Sequence, residues 1–293
     1  MATINAGTMF PAPLVAEMFN TVTGHSALAK LKGESPIPFN GMTEMVFSAE
    51  GEAQLVGEGE AKNPGNAKIE PVVIKPVKFV YQQRVSDEFM KASDEGRLPY
   101  FEAFAEGFAK KIARGFDIAA IHGLEPSTMS PASFKDTNSF DGLVENIITY
   151  DATAVDDNID AAIQAIEGGA NGVALSPTAG AALASIKVNG VAQYPEFRFG
   201  QNPNAFYGMG SDVNSTISAK EESATETDHV LVGNFEAFKW GYVTEIPLEV
   251  IVYGDPDGAG RDLKRYNEVC LRAEAYIGWG ILDATKFGLV QAK

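Results

Sequence analysis

The stretch Leu55-Val-Gly-Glu-Gly-Glu-Ala-Lys62, followed by the Val-, Ile-, Phe- and Tyr-rich run from Ile69 to Glu88, constrains the fold more than any other part of the chain. Gly41-Met-Thr-Glu-Met-Val-Phe-Ser48 has the composition of a strand, and Val72 to Val85 has that of a returning one. Between them, Ala49 to Glu70 carries glycines, proline and both signs of charge. The pattern predicts a strand pair that runs out to a charged, glycine-rich tip and back before a helix begins. A connection of that length is long for a compact domain, and such connections usually carry function. The shape suits reaching across to a neighbour, and a pocket enzyme has little use for it.

The chain has 293 residues, 45% of them hydrophobic, enough for one large or two modest domains with a sizeable core. It holds no run of 18 apolar residues, and Met1-Ala-Thr-Ile-Asn-Ala-Gly7 lacks the basic and apolar segments of a secretory signal. The expectation is a soluble protein that stays in the cell that made it. A single cysteine, Cys270, excludes an internal disulfide and a cysteine-based zinc site, and reads as a small buried residue on a strand. Lys and Arg total 23 against 39 Asp and Glu, a net charge of −16. That field opposes a primary role in binding nucleic acid or an anionic membrane.

Residues 1 to 35 carry Pro11 and Pro13, then Leu14, Val15, Met18, Phe19 and Val22 at helical spacing, an arm with one short helix. From Pro99, Phe101, Phe104, Phe108, Ile112, Phe116 and Ala119 recur at steps of three and four as far as Gly123. This predicts a helix of roughly 33 Å, long enough to run through the whole subunit. Gly107 and Gly115 within it suggest close approach by another element. Beyond a polar segment, a helix over 156–166, a short strand over 172–175 and a helix from Ser176 to Ile186 mark a second, α/β-like domain. Strands are expected at 230–232, 237–243 and 248–253, and a long one at 267–277.

The residues that carry chemistry do not converge in sequence. His25, His122 and His229 are far apart, none beside another ligand at metal spacing, so neither a metal nor a catalytic residue nor a cofactor is expected. Gly57-Glu-Gly-Glu60 is the nearest approach to a phosphate loop, and its carboxylates would repel a phosphate. Asp255, Asp257 and Gly260 fall at calcium-loop positions one, three and six, but Ala259 and Tyr266 break the pattern, leaving a surface turn.

Taken together, Val56-Gly-Glu-Gly-Glu60, the strand with Lys75-Pro-Val-Lys78, Arg84-Val-Ser-Asp-Glu88, the Phe-rich helix ending Asp117-Ile-Ala-Ala-Ile-His-Gly123 and the closing strand with Arg272-Ala-Glu274 resemble tailed-phage major capsid proteins of the Hong Kong 97 fold. The resemblance covers nearly the whole chain in order. It implies an α+β fold with an N-terminal arm (1–35), an extended loop hairpin (36–85), a peripheral domain (86–153) with a spine helix over about 99–122, an axial domain (154–253), and a return strand and C-terminus (254–293). It implies self-assembly into hexamers and pentamers of an icosahedral shell in the virion, built in the host cytoplasm. The expected partners are a separately encoded or already removed scaffolding segment, a portal, decoration proteins, and packaged DNA held without sequence-specific binding. No membrane is involved. The acidic balance would suit an inner surface that faces DNA without adhering to it.

Glu58, Glu60, Lys62, Lys68 and Arg84 are the expected intersubunit contacts. In crosslinking members of this family, a loop lysine attacks an asparagine amide with a glutamate seven positions further on acting as base. By position, Lys62, Asn267 and Glu274 match those roles, and a tip charge making salt bridges is the other reading of Lys62. Two alternatives to a phage coat stay open. One is a nanocompartment shell of the encapsulin type; the other is an α/β ligand-binding protein or enzyme with residues 36–85 as a lid.

Overall fold

The computed structural model describes residues 25–50, 55–56, 58, 66–90, 94–166, 168–222, 224–242 and 248–292. The arm stretch from Leu14 to Val22, and Glu60 and Lys62 at the loop tip, lie outside the described residues. In chain order the elements are helix α1 (Ala27–Leu31), strands β1 (Met42–Glu50), β2 (Asn66–Ile74) and β3 (Val77–Ser86), and helices α2 (Asp87–Met90), α3 (Asp94–His122) and α4 (Phe140–Leu143). Strand β4 (Ile147–Thr149), helix α5 (Val155–Ala165), strand β5 (Gly172–Leu175) and helix α6 (Pro177–Ser185) follow. Then come the ribbon β6 (Lys187–Val188) and β7 (Val191–Ala192), β8 (Ala205–Phe206), β9 (Met209–Val213), β10 (Thr227–Gly233), β11 (Phe238–Tyr242), β12 (Leu248–Ile251), β13 (Glu268–Ile281) and β14 (Phe287–Ala292).

Helix α3 is 29 residues long, about 43 Å at 1.5 Å per residue. Its apolar stripe of Phe104, Phe108, Ile112, Phe116 and Ala119 is buried, as the three- and four-residue spacing requires. It begins at Asp94, five residues ahead of Pro99, which as the sixth residue of the helix leaves one i→i−4 backbone bond unmade. The stripe packs on a four-stranded sheet built around β13, which pairs antiparallel with β3 on one side and with β12 and β11 on the other. Trp240 of β11 and Trp279 of β13 are register partners, and Phe116 meets them at ring-centroid distances of 5.0 and 5.8 Å. Gly115 lets Phe79 of β3 come close: a Cβ there would lie 3.4 Å from its ring.

A six-stranded sheet of order β4-β14-β10-β5-β9-β8 forms the wall between two cores. Strand alternation explains the near-continuous apolar runs in its centre. Ala174, Leu231 and Leu289 face the core shared with α3, whereas Val173, Leu175, Val230, Val232 and Val290 face the core under α5 and α6. Val155, Ile159 and Ala162 of α5 and Ala179 and Leu183 of α6 fill that second core.

Strand partnership differs from the sequence reading in two places. β11 and β12, expected within 154–253 as part of the second domain, belong to the β13 sheet, whereas β14 returns to the six-stranded sheet beside β10. Local alternation identifies a strand; the partner is chosen by non-local packing, here the Trp240 and Trp279 pair over Phe116. The apolar run from Val72 to Val85 is also split, because Pro76 has no N–H for a ladder and separates β2 from β3.

Candidate assembly interface

Strands β1 and β2 form a two-stranded antiparallel sheet of their own with Met45 opposite Pro71 and Phe47 opposite Ile69. Successive residues point to opposite faces. One face holds Met42, Val46, Val72 and Ile74, all partly or wholly buried. The other holds Met45, Phe47, Ile69 and Val73, which are 68%, 65%, 62% and 53% exposed. Large apolar side chains lined up on one exposed face mark an interaction surface. An isolated hairpin is marginal in water, so this one requires support at its base.

That support is visible. Ile74 is fully buried against Gly280 of β13, where a Cβ would lie 2.7 Å from its Cγ1, so a glycine is needed there. Lys239 of β11 bonds Glu44 of β1. The outer part of the hairpin, with exposed Leu55, Val56 and Glu58 beyond it, extends past these anchors. Lys68 pairs with Glu70 at 2.6 Å on the exposed strand surface.

Arg84, expected at a subunit boundary, has its guanidinium engaged inside its own chain. It bonds Asp255 (2.6 Å), Asp257 (Nε to Oδ2, 2.8 Å) and Glu268 (2.9 Å), and donates to the Arg261 carbonyl at 3.1 Å. The Asp257 hydrogen bond holds Arg84 above its ordinary range, and Arg84 in turn holds the Asp257 carboxyl well below the usual carboxylate range. Asp255 and Asp257 thus close the 254–262 turn around a guanidinium, with no calcium geometry required.

Asn267 and Glu274 bracket half of β13. Asn267 sits at φ 54°, ψ 46°, a left-handed conformation that asparagine tolerates, and its carbonyl accepts the Asp87 N–H at 2.7 Å. Glu274 pairs with Lys78 at 2.7 Å, which holds the lysine above its ordinary range. Seven residues of strand separate Asn267 from Glu274 by about 23 Å, so a single chain does not bring them to one site.

The segment entering from the arm is latched to α3. The fully buried Asp117 carboxylate accepts Ser26 Oγ, the N–H groups of Ala27 (2.9 Å) and Leu28 (3.4 Å), and Thr216 Oγ1 (2.8 Å). Burial pushes its carboxyl up to about 6 against the pull of these donors. Lys30 bonds Asp212 at 2.8 Å, and Trp240 Nε1 donates to the Lys32 carbonyl at 2.7 Å.

Two buried histidine clusters escape the sequence reading because only the fold assembles them. Ser176 Oγ lies 3.0 Å from His229 Nδ1, a nucleophile-and-base pair in appearance. Ser176 is fully buried and accepts the Ala179 N–H as the N-cap of α6, so it is a structural group. His122 meets Asp141 at 2.8 Å and Asp228 at 3.3 Å. Burial there opposes a charged ring, and the two carboxylates outweigh it. The chain positions of these residues carried no spacing signal.

Comparison with known proteins agrees with this geometry. A family model described as phage capsid protein matches residues 69–288. A solved structure from Mycobacterium phage Ogopogo superimposes with TM-score 0.79 at 29% identity, covering 92% of both chains. One from Gordonia phage Cozz gives 0.73 at 21% identity, covering 91% of this chain and 86% of that one. A structure described as the capsid of an empty GTA particle computed with C5 symmetry gives 0.63 at 14% identity over 92% and 90%. The search of curated proteins found no match. The architecture is the Hong Kong 97 capsid fold. The lidded-enzyme reading of residues 36–85 therefore falls away, and the chain belongs to the phage capsid protein family, as a structural coat protein and not an enzyme.

Proposed function

We propose that copies of this chain assemble through the outer hairpin face and the N-terminal arm into hexamers and pentamers of an icosahedral head enclosing double-stranded DNA. The exposed row of Met45, Phe47, Ile69 and Val73 carries this reading. A patch used head to tail by every subunit gives heterologous contacts that close into rings. In this scheme residues 1–35 are the arm and the β1–β2 hairpin is the extended loop, with β3 counted in the β13 sheet. The β13 sheet with α3 forms the peripheral domain, and the six-stranded sheet with α5 and α6 the axial domain. Glu58, Glu60, Lys62 and Lys68 meet opposite charges on the neighbour, selecting register more than adding affinity. Scaffolding, portal and decoration proteins are the further partners, and the host cytoplasm the place of assembly.

Deleting Ala49 to Glu70 tests the reading. The variant is expected to be a soluble subunit with the helix content of α3 retained in circular dichroism and no closed shells in negative-stain images. Normal shells from the deletion would overturn it. Reversing Glu58 and Glu60 to Lys should slow assembly, more so at low salt where screening is weak. DNA recovered from nuclease-treated particles separates a phage head from a compartment that encloses protein.

A further inference from the structure

Where the end of α3 meets the six-stranded sheet, three side chains from distant parts of the chain converge. His122 closes α3, Asp141 lies in α4 and Asp228 in β10, and one ligand atom from each falls within 4.8 Å of the others. His122 and Asp228 are both 2% exposed. The ring's Nε2 faces the Thr216 carbonyl at 2.9 Å and donates its N–H there. That bond fixes one proton on Nε2 and leaves Nδ1 turned to both carboxylates.

Charge and hydrogen-bond balance are incomplete in this arrangement. Among the described residues, Asp141 Oδ1 and Asp228 Oδ1 are buried and find no hydrogen-bond partner. A second proton on the ring supplies a single N–H shared between the Oδ2 atoms of two carboxylates and reaches neither Oδ1 atom. Leaving buried carboxylate oxygens unpaired is costly. A dication beside a neutral ring cancels both charges. Tetrahedral bonds of 2.0–2.1 Å place ligand atoms about 3.4 Å apart. The 3.3 Å separation of His122 Nδ1 and Asp228 Oδ2 fits, and the 2.8 Å separation from Asp141 needs to open by a fraction of an ångström. Histidine ligands characteristically donate their other ring N–H to a backbone carbonyl or carboxylate, as His122 does.

We propose that His122, Asp141 and Asp228 bind one divalent transition cation that ties the end of α3 to the six-stranded sheet. One imidazole and two carboxylates without a thiolate suit zinc or manganese. The site joins the two cores of the subunit, so its occupancy stiffens the part of the coat that sets their relative position.

The test uses full-length protein dialysed against EDTA, then loaded with Zn²⁺ or Mn²⁺, desalted and analysed by inductively coupled plasma mass spectrometry. The expected result is about one equivalent per chain for at least one metal, with a raised melting temperature. Asp141→Asn, at the less buried ligand, should fold and lose most of both effects. Asp283→Asn, a carboxylate outside the cluster, should keep them. Uptake below a tenth of an equivalent for both metals, or equal uptake by Asp141→Asn, overturns the proposal and leaves a protonated imidazole between the two carboxylates.

Discussion

Phe47 and Ile69 face each other across the β1–β2 hairpin, and each keeps nearly two-thirds of its surface exposed. Cross-strand pairs of this kind stabilise a sheet when something covers them. Replacing both with Ser should change subunit stability little, within about 0.5 kcal/mol, as for other exposed sites. Assembly should fail. A melting curve of dissociated subunits and sedimentation of assembly mixtures measure the two effects separately. Unimpaired shell formation would show that the face is not an interface.

Arg84 holds the 254–262 turn against β3 and β13 through three carboxylates. Arg84→Ala leaves those carboxylates facing one another and should release the turn, seen as faster tryptic cleavage after Arg261. Arg84→Lys should fall between the two, because an ammonium cannot match the planar fork of a guanidinium. Equal cleavage rates in all three proteins would refute the clamp.

Asp117 gives a pH signature. Its folded value of about 6 lies above the ordinary carboxylate range near 3.9, so the folded state holds more proton between them. The stability it contributes is full below about pH 4 and declines as pH rises to about 6. Its neighbours in the latch are Ser26, Ala27, Leu28 and Thr216, none of which titrates in that window. The stability difference between the parent subunit and Asp117→Asn should therefore shift across that window and be constant above it. Parallel profiles would contradict the assignment.

The structure gives Asn267 and Glu274 ordinary work, a left-handed turn residue and a partner for Lys78. Mature particles should accordingly run as a single band near 31.3 kDa on denaturing gels. A ladder of multimers that disappears in Lys62→Ala would instead establish a covalent bond between subunits.

Much of the fold is legible in the sequence where one element decides its own form. The phenylalanine stripe of α3 and the alternation of β13 need no partner to be recognised, and Pro177 after Ser176 marks the start of α6. Partner choice is not legible: nothing local tells β11 that Trp240 belongs opposite Trp279, or β14 that it returns beside β10. The hairpin was readable from its glycines and charges, but which face stays apolar and exposed depends on register, set by the burial of Ile74. Arg84 illustrates the same limit, since its acidic partners are supplied by a turn some 170 residues away. His122, Asp141 and Asp228 share no spacing, and only the packing of α3 on the six-stranded sheet unites them.

Cryo-electron microscopy of particles formed by the expressed protein, at a resolution that shows side chains, tests the account most directly. It should show closed icosahedral shells in which Met45, Phe47, Ile69 and Val73 are covered by an adjacent subunit. Shells in which these four side chains face solvent, or a preparation of monomers alone, would contradict it.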